Sequence, residues 1–220
     1  MHLTLRETLL HLFNRFGRYN ALYYRGDERL NKLWEQHRNL NKVIRKKITD
    51  ERVIRQHLAL VFGWTAAYCD SFINLPIVEA MSEKYPIYGC AYCRSSPCAC
   101  EFHVRKDITL YNVNNEQLRW SIADWQRHNL TVYGAANIEM GVHQAFNRLT
   151  EEITEALSAH RFDVQNPADI HLDEHRRLIA LEFADVFQWL TALSNIIGVD
   201  LQLAVEEQYI FNTANTTTSA

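Results

Sequence analysis

Glu182 sits where a solvated residue should not. Leu178, Val186, Trp189 and Leu193 recur around it at helical spacing, so a helix over about 173–196 that buries its apolar stripe buries this carboxylate too. An isolated buried carboxylate is costly unless something compensates it. Asp185 lies one turn further on. Upstream, Glu151-Glu152-Ile153-Thr154-Glu155 repeats the situation. At about 100° per residue, Glu152 and Glu155 lie roughly 60° apart, flanking the stripe of Leu149, Ile153 and Ala156. Glu-rich helix turns are usually solvated faces. Here, however, two acidic pairs at the same spacing fall on consecutive helices and both encroach on apolar faces. Four carboxylates turned toward one seam repel each other. A divalent cation held by Glu152, Glu155, Glu182 and Asp185 relieves that repulsion, and an all-oxygen donor set selects a hard ion such as Mg²⁺.

An all-α fold is expected around this seam. Apolar residues make up 47% of the 220 residues, enough for a packed core, and only 7 Gly and 4 Pro argue against a turn-rich β fold. Thr4 and Glu7 form a capping box that opens a helix through about Phe16. Helical periodicity follows over about 29–47 and 50–74, with a short helix up to Tyr85-Pro86. It breaks over 87–115 and resumes over about 116–129, 137–160, 173–196 and 200–210, the last capped by Asp200. The chain thus divides into a helical domain 1–86, a Cys-rich linker 87–115, a second helical domain 116–211, and a polar tail 212–220 expected to be disordered. A net charge of −3 offers nucleic acid no bulk attraction, and Arg45-Lys46-Lys47 reads as a solvated helix face. Charged residues interrupt every apolar run, including the first, where Arg6, Glu7, Arg15 and Arg18 intervene. Neither a membrane partner nor a signal peptide is expected, and the location expected is cytoplasmic.

Cys90, Cys93, Cys98 and Cys100 form C-x2-C-x4-C-x-C within the linker. In a cytosolic chain such crowding points to a thiolate site for structural Zn²⁺ rather than to disulfides. The final C-x-C is tight, so His103 is an alternative fourth ligand, and free or redox-active thiols are the competing reading. Four protein ligands leave no open position, so the knuckle is expected to be structural, with catalysis elsewhere. Cys69 reads as a core residue. His160, His171 and His175 flank the link between the acidic helices and read as solvated or structural. Arg176 and Arg177, about one turn before Glu182, could neutralise phosphate or could simply be a solvated turn.

From about Glu116 to Tyr209 the chain resembles a MazG-type domain of the all-α nucleoside triphosphate pyrophosphohydrolases. The residues that carry the likeness are Asp124-Trp125-Gln126-Arg127, Phe146-Asn147-Arg148-Leu149, the EExxE motif 151–155, the ExxD motif 182–185 continuing to Asn195, and Gly198-Val199-Asp200-Leu201 before Ala204-Val205-Glu206-Glu207. The resemblance implies a MazG-like helical bundle and Mg²⁺-dependent cleavage between the α- and β-phosphates of a nucleoside triphosphate. The products would be a nucleoside monophosphate and pyrophosphate. It makes Glu152, Glu155, Glu182 and Asp185 metal ligands and catalytic residues, one of which could instead orient the attacking water. It suggests Asn195 and Trp125 as substrate contacts, to which the position of Arg177 before Glu182 adds a third. A nucleotide-binding regulatory module without turnover, and a purely structural helical protein, are the alternatives.

The two helical domains also read alike when slid by about 116 to 125 residues. Asn31-Lys32-Leu33 falls on Asn147-Arg148-Leu149, Val61-Phe62 and Trp64 on Val186-Phe187 and Trp189, and Ala80 and Glu83 on Ala204 and Glu207. In this register the acidic motif becomes Glu35, Gln36 and Asn39, so that Gln36 and Asn39 replace Glu152 and Glu155, while His57 and Leu60 replace Glu182 and Asp185. Helices share a period by construction, so a chance match competes with a tandem duplication whose first copy has lost its carboxylates. MazG-type domains pair through their helices. The assembly expected is therefore a homodimer or an intramolecular pseudo-dimer, in which Leu58, Val61, Thr65 and Phe72 offer the matching face.

Overall fold

The computed structural model describes residues 2–24, 27–70, 75–100, 110–165 and 172–211. The expectations for Phe72, His103, His171 and the tail 212–220 lie outside the described residues. Among the described residues there are eight α-helices: α1 (Leu5–Tyr23), α2 (Asp27–Arg45), α3 (Glu51–Cys69), α4 (Ile77–Lys84), α5 (Ile122–Met140), α6 (Val142–Gln165), α7 (Leu172–Ile197) and α8 (Leu201–Glu206). Among the described residues there is no strand, and no helix is long and apolar enough to cross a membrane. The expected all-α class holds.

Several helix boundaries differ from the periodicity reading, among them the end of α5, expected near 129, and both ends of α6, expected at about 137 and 160. α1 continues past Phe16 to Tyr23, through Gly17, where a Cβ would stand 3.0 Å from the Asp70 carboxylate. α5 begins at Ile122 rather than near Glu116, because Ser121 and Asp124 form its capping box. It then runs to Met140, where Gly141 at φ +79° ends it in a conformation side chains disfavour. The capping boxes of α1 and α5 meet: Thr4 and Ser121 form an antiparallel bridge, and the Leu5 amide donates to the Trp120 carbonyl at 2.8 Å.

α3 and α7 lie at the centre of one apolar core that draws on both halves of the chain. Leu58, Val61, Ala184 and Leu190 are fully buried there, and the rings of Phe62 and Phe187 meet edge-on at 5.1 Å. α1 and α2 pack on α3, and α5 and α6 pack on α7. The short helices cross over, so that α4 lies on α7 and α8 on α3. Tyr85, just after α4, reaches a carboxylate of α7. Tyr209, just after α8, presses against α3 at Gly63, where any Cβ would overlap its hydroxyl. α2 and α6 touch through His37, whose ring stacks on Phe146 at 4.4 Å, with Nε2 3.1 Å from the Thr150 hydroxyl. Burial lowers the pKa of His37 to about 4, so it packs as a neutral ring.

Candidate functional site

α6 presents Glu152 and Glu155, and α7 presents Glu182 and Asp185. The first three converge, with one carboxylate oxygen from each lying within 4.8 Å of the others. Glu152 and Glu182 are half-buried and Glu155 is exposed. Asp185 is buried beside them, but its oxygens are engaged: one accepts from the Lys84 ammonium and the other from the Tyr85 hydroxyl. Lys84 is itself buried, and also donates to the Leu181 carbonyl at 3.3 Å. The group facing one point is therefore three glutamates. The expected fourth ligand is held by a lysine and a tyrosine from the first half of the chain.

The electrostatics follow from that crowding. Burial first, then the fields of Asp185 and Glu155, push Glu152 up to about 8. Burial also raises Glu182, and it raises Asp185 against the opposing pull of Lys84 and Tyr85. Lys84 draws all three back toward ionisation. Burial and the neighbouring Asp185 keep the Tyr85 phenol protonated, so it remains a donor. Glu152, Glu182 and Asp185 thus resist ionising, and the three glutamates that face one point form a cluster short of positive charge. Their spacing suits a hard cation with oxygen ligands at about 2.0–2.6 Å. The donor chemistry fits Mg²⁺.

The other expected substrate contacts are engaged elsewhere. Arg177 pairs with Glu83 at 2.8 Å, at the end of α4. The Asn195 amide donates to the Gln126 carbonyl at 2.9 Å and to Asn129 at 3.3 Å, tying α7 to α5. Trp125 is 1% exposed and packs edge-on against Trp120 at 4.8 Å, which leaves no face for a nucleotide. Trp125 lies in the core because its position on α5 turns it inward. His175 is half-buried in the first turns of α7.

All four cysteines converge. Their sulfurs lie within 4.8 Å of one another, with Cys90 to Cys98 at 3.3 Å, Cys90 to Cys100 at 3.7 Å and Cys93 to Cys98 at 3.9 Å. A tetrahedral thiolate site with metal–sulfur bonds of about 2.3 Å holds its sulfurs roughly 3.8 Å apart, so these four can hold a metal ion. Amides of Tyr92, Ala99 and Cys100 donate to Cys90, Cys93 and Cys98 at 3.3–3.4 Å, as thiolates require. Cys93 is lowered to about 6: burial opposes the shift and the Ala99 amide leads those that outweigh it. Burial raises Cys100 to about 11. Gly89 makes the turn, since a Cβ there would meet the Arg94 carbonyl at 2.6 Å. Cys69 is buried in the core, as expected.

The knuckle adjoins the carboxylates. The Cys98 amide donates to the Val132 carbonyl at 2.7 Å, and the Ala91 amide to the Tyr133 hydroxyl at 3.2 Å, so the loop is pinned to α5. The Tyr133 ring meets Tyr85 edge-on at 6.4 Å, and Tyr85 bonds Asp185. Lys84 and Tyr85 escaped the sequence reading, although one signal for Lys84 was present. Ile77, Ala80, Met81 and Lys84 share one helical stripe, so Lys84 intrudes on an apolar face as Glu182 does. Comparison with known protein families, curated proteins and solved structures finds no match for this chain.

Proposed function

We propose that this chain is a Mg²⁺-dependent nucleoside triphosphate pyrophosphohydrolase with a single carboxylate site, formed by a MazG-like unit at 116–211. The observation that carries this reading is the convergence of Glu152, Glu155 and Glu182 within 4.8 Å beside the buried Asp185. A nucleoside triphosphate adds about four negative charges to that cluster, so substrate and metal must enter together. Bound there, Mg²⁺ would offset this charge, polarise the α-phosphorus and make water a better nucleophile. The glutamates would hold the metal, and Glu155, exposed where Glu152 and Glu182 are half-buried, would orient the attacking water. Lys84 holds Asp185 in place and supplies positive charge at the wall of the site. Water adds to the α-phosphorus, the bond to the bridging oxygen breaks, and nucleoside monophosphate and pyrophosphate leave.

The same reading makes residues 1–86 a silent copy that stands in for a partner subunit. Support comes from contacts between positions that the register above makes equivalent. Thr4 bridges Ser121, and Phe62 meets Phe187, as residues beside a two-fold axis do. The exchange of α4 and α8 between α7 and α3 is reciprocal. Tyr85 and Tyr209, equivalent in that register, close the two sides. Zn²⁺ is the ion we assign to the cysteines, from the four-sulfur set.

The test is release of pyrophosphate, with no orthophosphate, from a panel of nucleoside triphosphates in Mg²⁺, against an EDTA control. Absence of turnover across the panel, or full turnover in EDTA, refutes the hydrolase. The engagement of Asp185 by Lys84 and Tyr85 favours one second reading, a nucleotide-binding regulatory module. Tight nucleotide binding with no pyrophosphate released would select it.

A further inference from the structure

The cysteine loop is fastened to the wall of the carboxylate site, which a staple of the loop alone does not require. From Cys90 to Cys100 only Cys90 and Ala91 are buried. The Cys98 amide donates to the Val132 carbonyl of α5 at 2.7 Å, and beside it the Ala91 amide donates to the Tyr133 hydroxyl at 3.2 Å. The Ala91 carbonyl accepts from the Tyr111 hydroxyl at 3.4 Å, and the Tyr111 amide donates to the carbonyl of Glu83, next to Lys84. Tyr133 in turn sets its ring edge-on to that of Tyr85 at 6.4 Å. The Gln117 amide donates to the Tyr85 carbonyl at 2.7 Å and fixes the backbone from another side, so the ring is what Tyr133 positions. The Tyr85 hydroxyl and the Lys84 ammonium each donate to one oxygen of Asp185, which lies one turn of α7 beyond Glu182.

We propose that Tyr133 and Tyr85 are positioning residues that withhold Asp185 from the glutamates while the cysteines hold a metal. This rests on the reading of Glu152, Glu155 and Glu182 as a Mg²⁺ site. A loop that buries so little is ordered by the ion that ties its cysteines together. Loaded, it keeps the Tyr133 hydroxyl in place, and the Tyr133 ring keeps Tyr85 turned toward Asp185. Emptied, the loop releases Tyr133, and Tyr85 loses the ring that backs it. Lys84 then retains one Asp185 oxygen, and the other becomes available to a cation among the glutamates. The two metal sites are thus linked with a definite sign. Loss of the cysteine-bound ion adds a fourth carboxylate and tightens Mg²⁺ binding, and by reciprocity Mg²⁺ weakens the hold of the cysteines on their ion. A purely structural loop has the opposite sign, since loosening the fold weakens a site built on it.

The experiment titrates Mg²⁺ into the full-length protein loaded with Zn²⁺, by calorimetry, and measures pyrophosphate release on the same samples. Tyr133→Leu, which removes both hydroxyl and ring, should bind Mg²⁺ about tenfold more tightly than the unmodified protein, the scale on which partners of metal ligands act. Tyr85→Phe should do the same, because it removes only the donor to Asp185. Adding Asp185→Asn to Tyr133→Leu should abolish the gain. Stripping the unmodified protein with a zinc-selective chelator should tighten Mg²⁺ binding likewise, and stripping Tyr133→Leu should change nothing further. Circular dichroism checks that helicity is retained; where the stripped protein loses it, the two zinc-loaded variants decide. Equal or weaker Mg²⁺ binding in Tyr133→Leu, or a gain that survives Asp185→Asn, overturns the positioning role, while continued pyrophosphate release leaves the hydrolase intact. If the gain appears and no nucleotide is cleaved, the positioning role stands and the hydrolase falls. If Mg²⁺ binds neither the unmodified protein nor the variants, both fall.

Discussion

Replacing Lys84 with Met removes the ammonium from the carboxylate wall and keeps most of the stem that packs in the core. Lys84 and Asp185 are 6% and 8% exposed, so their pair is shielded from water. Removing one partner of such a pair typically costs about 3–5 kcal/mol, since the other charge stays buried. Asp185 keeps the Tyr85 hydroxyl and can take up a proton, which places Lys84→Met near the lower figure, about 3 kcal/mol. For a chain of this length that corresponds to a fall in Tm of roughly 6–12 °C. The double variant Lys84→Met/Asp185→Asn removes both charges and should recover to within about 1 kcal/mol of the unmodified protein. Mg²⁺ should restore part of the stability of Lys84→Met, because it supplies the missing positive charge to the glutamates nearby. Thermal and urea unfolding followed by circular dichroism, in EDTA and in Mg²⁺, measures each quantity. A double variant as unstable as Lys84→Met would show that the loss is one of packing, and would refute the argument from charge.

The remaining predictions concern the two metal sites and the first half of the chain. Glu182→Gln should lower kcat by about a hundredfold, the scale of losing a metal ligand, and leave stability equal or higher because a half-buried acid is removed; full activity would refute its role. Glu152 titrates at about 8 against an ordinary 4.5, so between those values the folded protein holds a proton that the unfolded chain releases. That stabilising contribution is complete below the lower value and is lost as pH rises through the upper one. Mg²⁺ must displace the same proton, so its apparent affinity should rise by about tenfold per pH unit and level off above about pH 8; a thermal-shift titration showing no such slope would contradict the site. Metal analysis of protein purified without added zinc should find about one zinc per chain, and less in Cys93→Ser. A fragment of residues 116–211 should aggregate or lack activity, since it loses Lys84, Tyr85 and the helices that cover α7; an active, well-behaved fragment would refute the intramolecular pairing.

What could be read from the sequence was whatever lies within one element. The helices followed from periodicity, and the glutamates of α6 and α7 from their offset on those faces. The convergence of four cysteines followed from spacing within a short loop. The misplaced helix boundaries are local too: Ser121 with Asp124 forms a capping box as readable as that of Thr4 with Glu7, and it marks where α5 starts. Arg177, Asn195 and Trp125 were noticed for their residue type, but what each contacts is settled by chain far away in sequence: Glu83 for the first, α5 for the second, the core for the third.

Lys84 belongs with that long-range information, and it shows what a reading of separate elements leaves out. A lysine on the apolar stripe of α4 and an aspartate at the edge of the apolar stripe of α7 are each costly alone. Both costs fall if the two stripes face each other. The two helices come from different halves of the chain, and the structure packs one on the other with the charges paired. Intruding charges of opposite sign on two amphipathic helices are thus a pairing signal as well as a hint of a site. Applied to the whole chain, the same reasoning explains how the first half can contribute without carboxylates at Gln36, Asn39, His57 and Leu60, the positions aligned above with the four acids. Gln36 and Asn39 bring no negative charge to α2, and the charge that half supplies near the glutamates is positive. A site already crowded with acids gains from such a neighbour, whereas a second acidic copy would add repulsion. The asymmetry between the halves is therefore what the electrostatics of one carboxylate cluster favour.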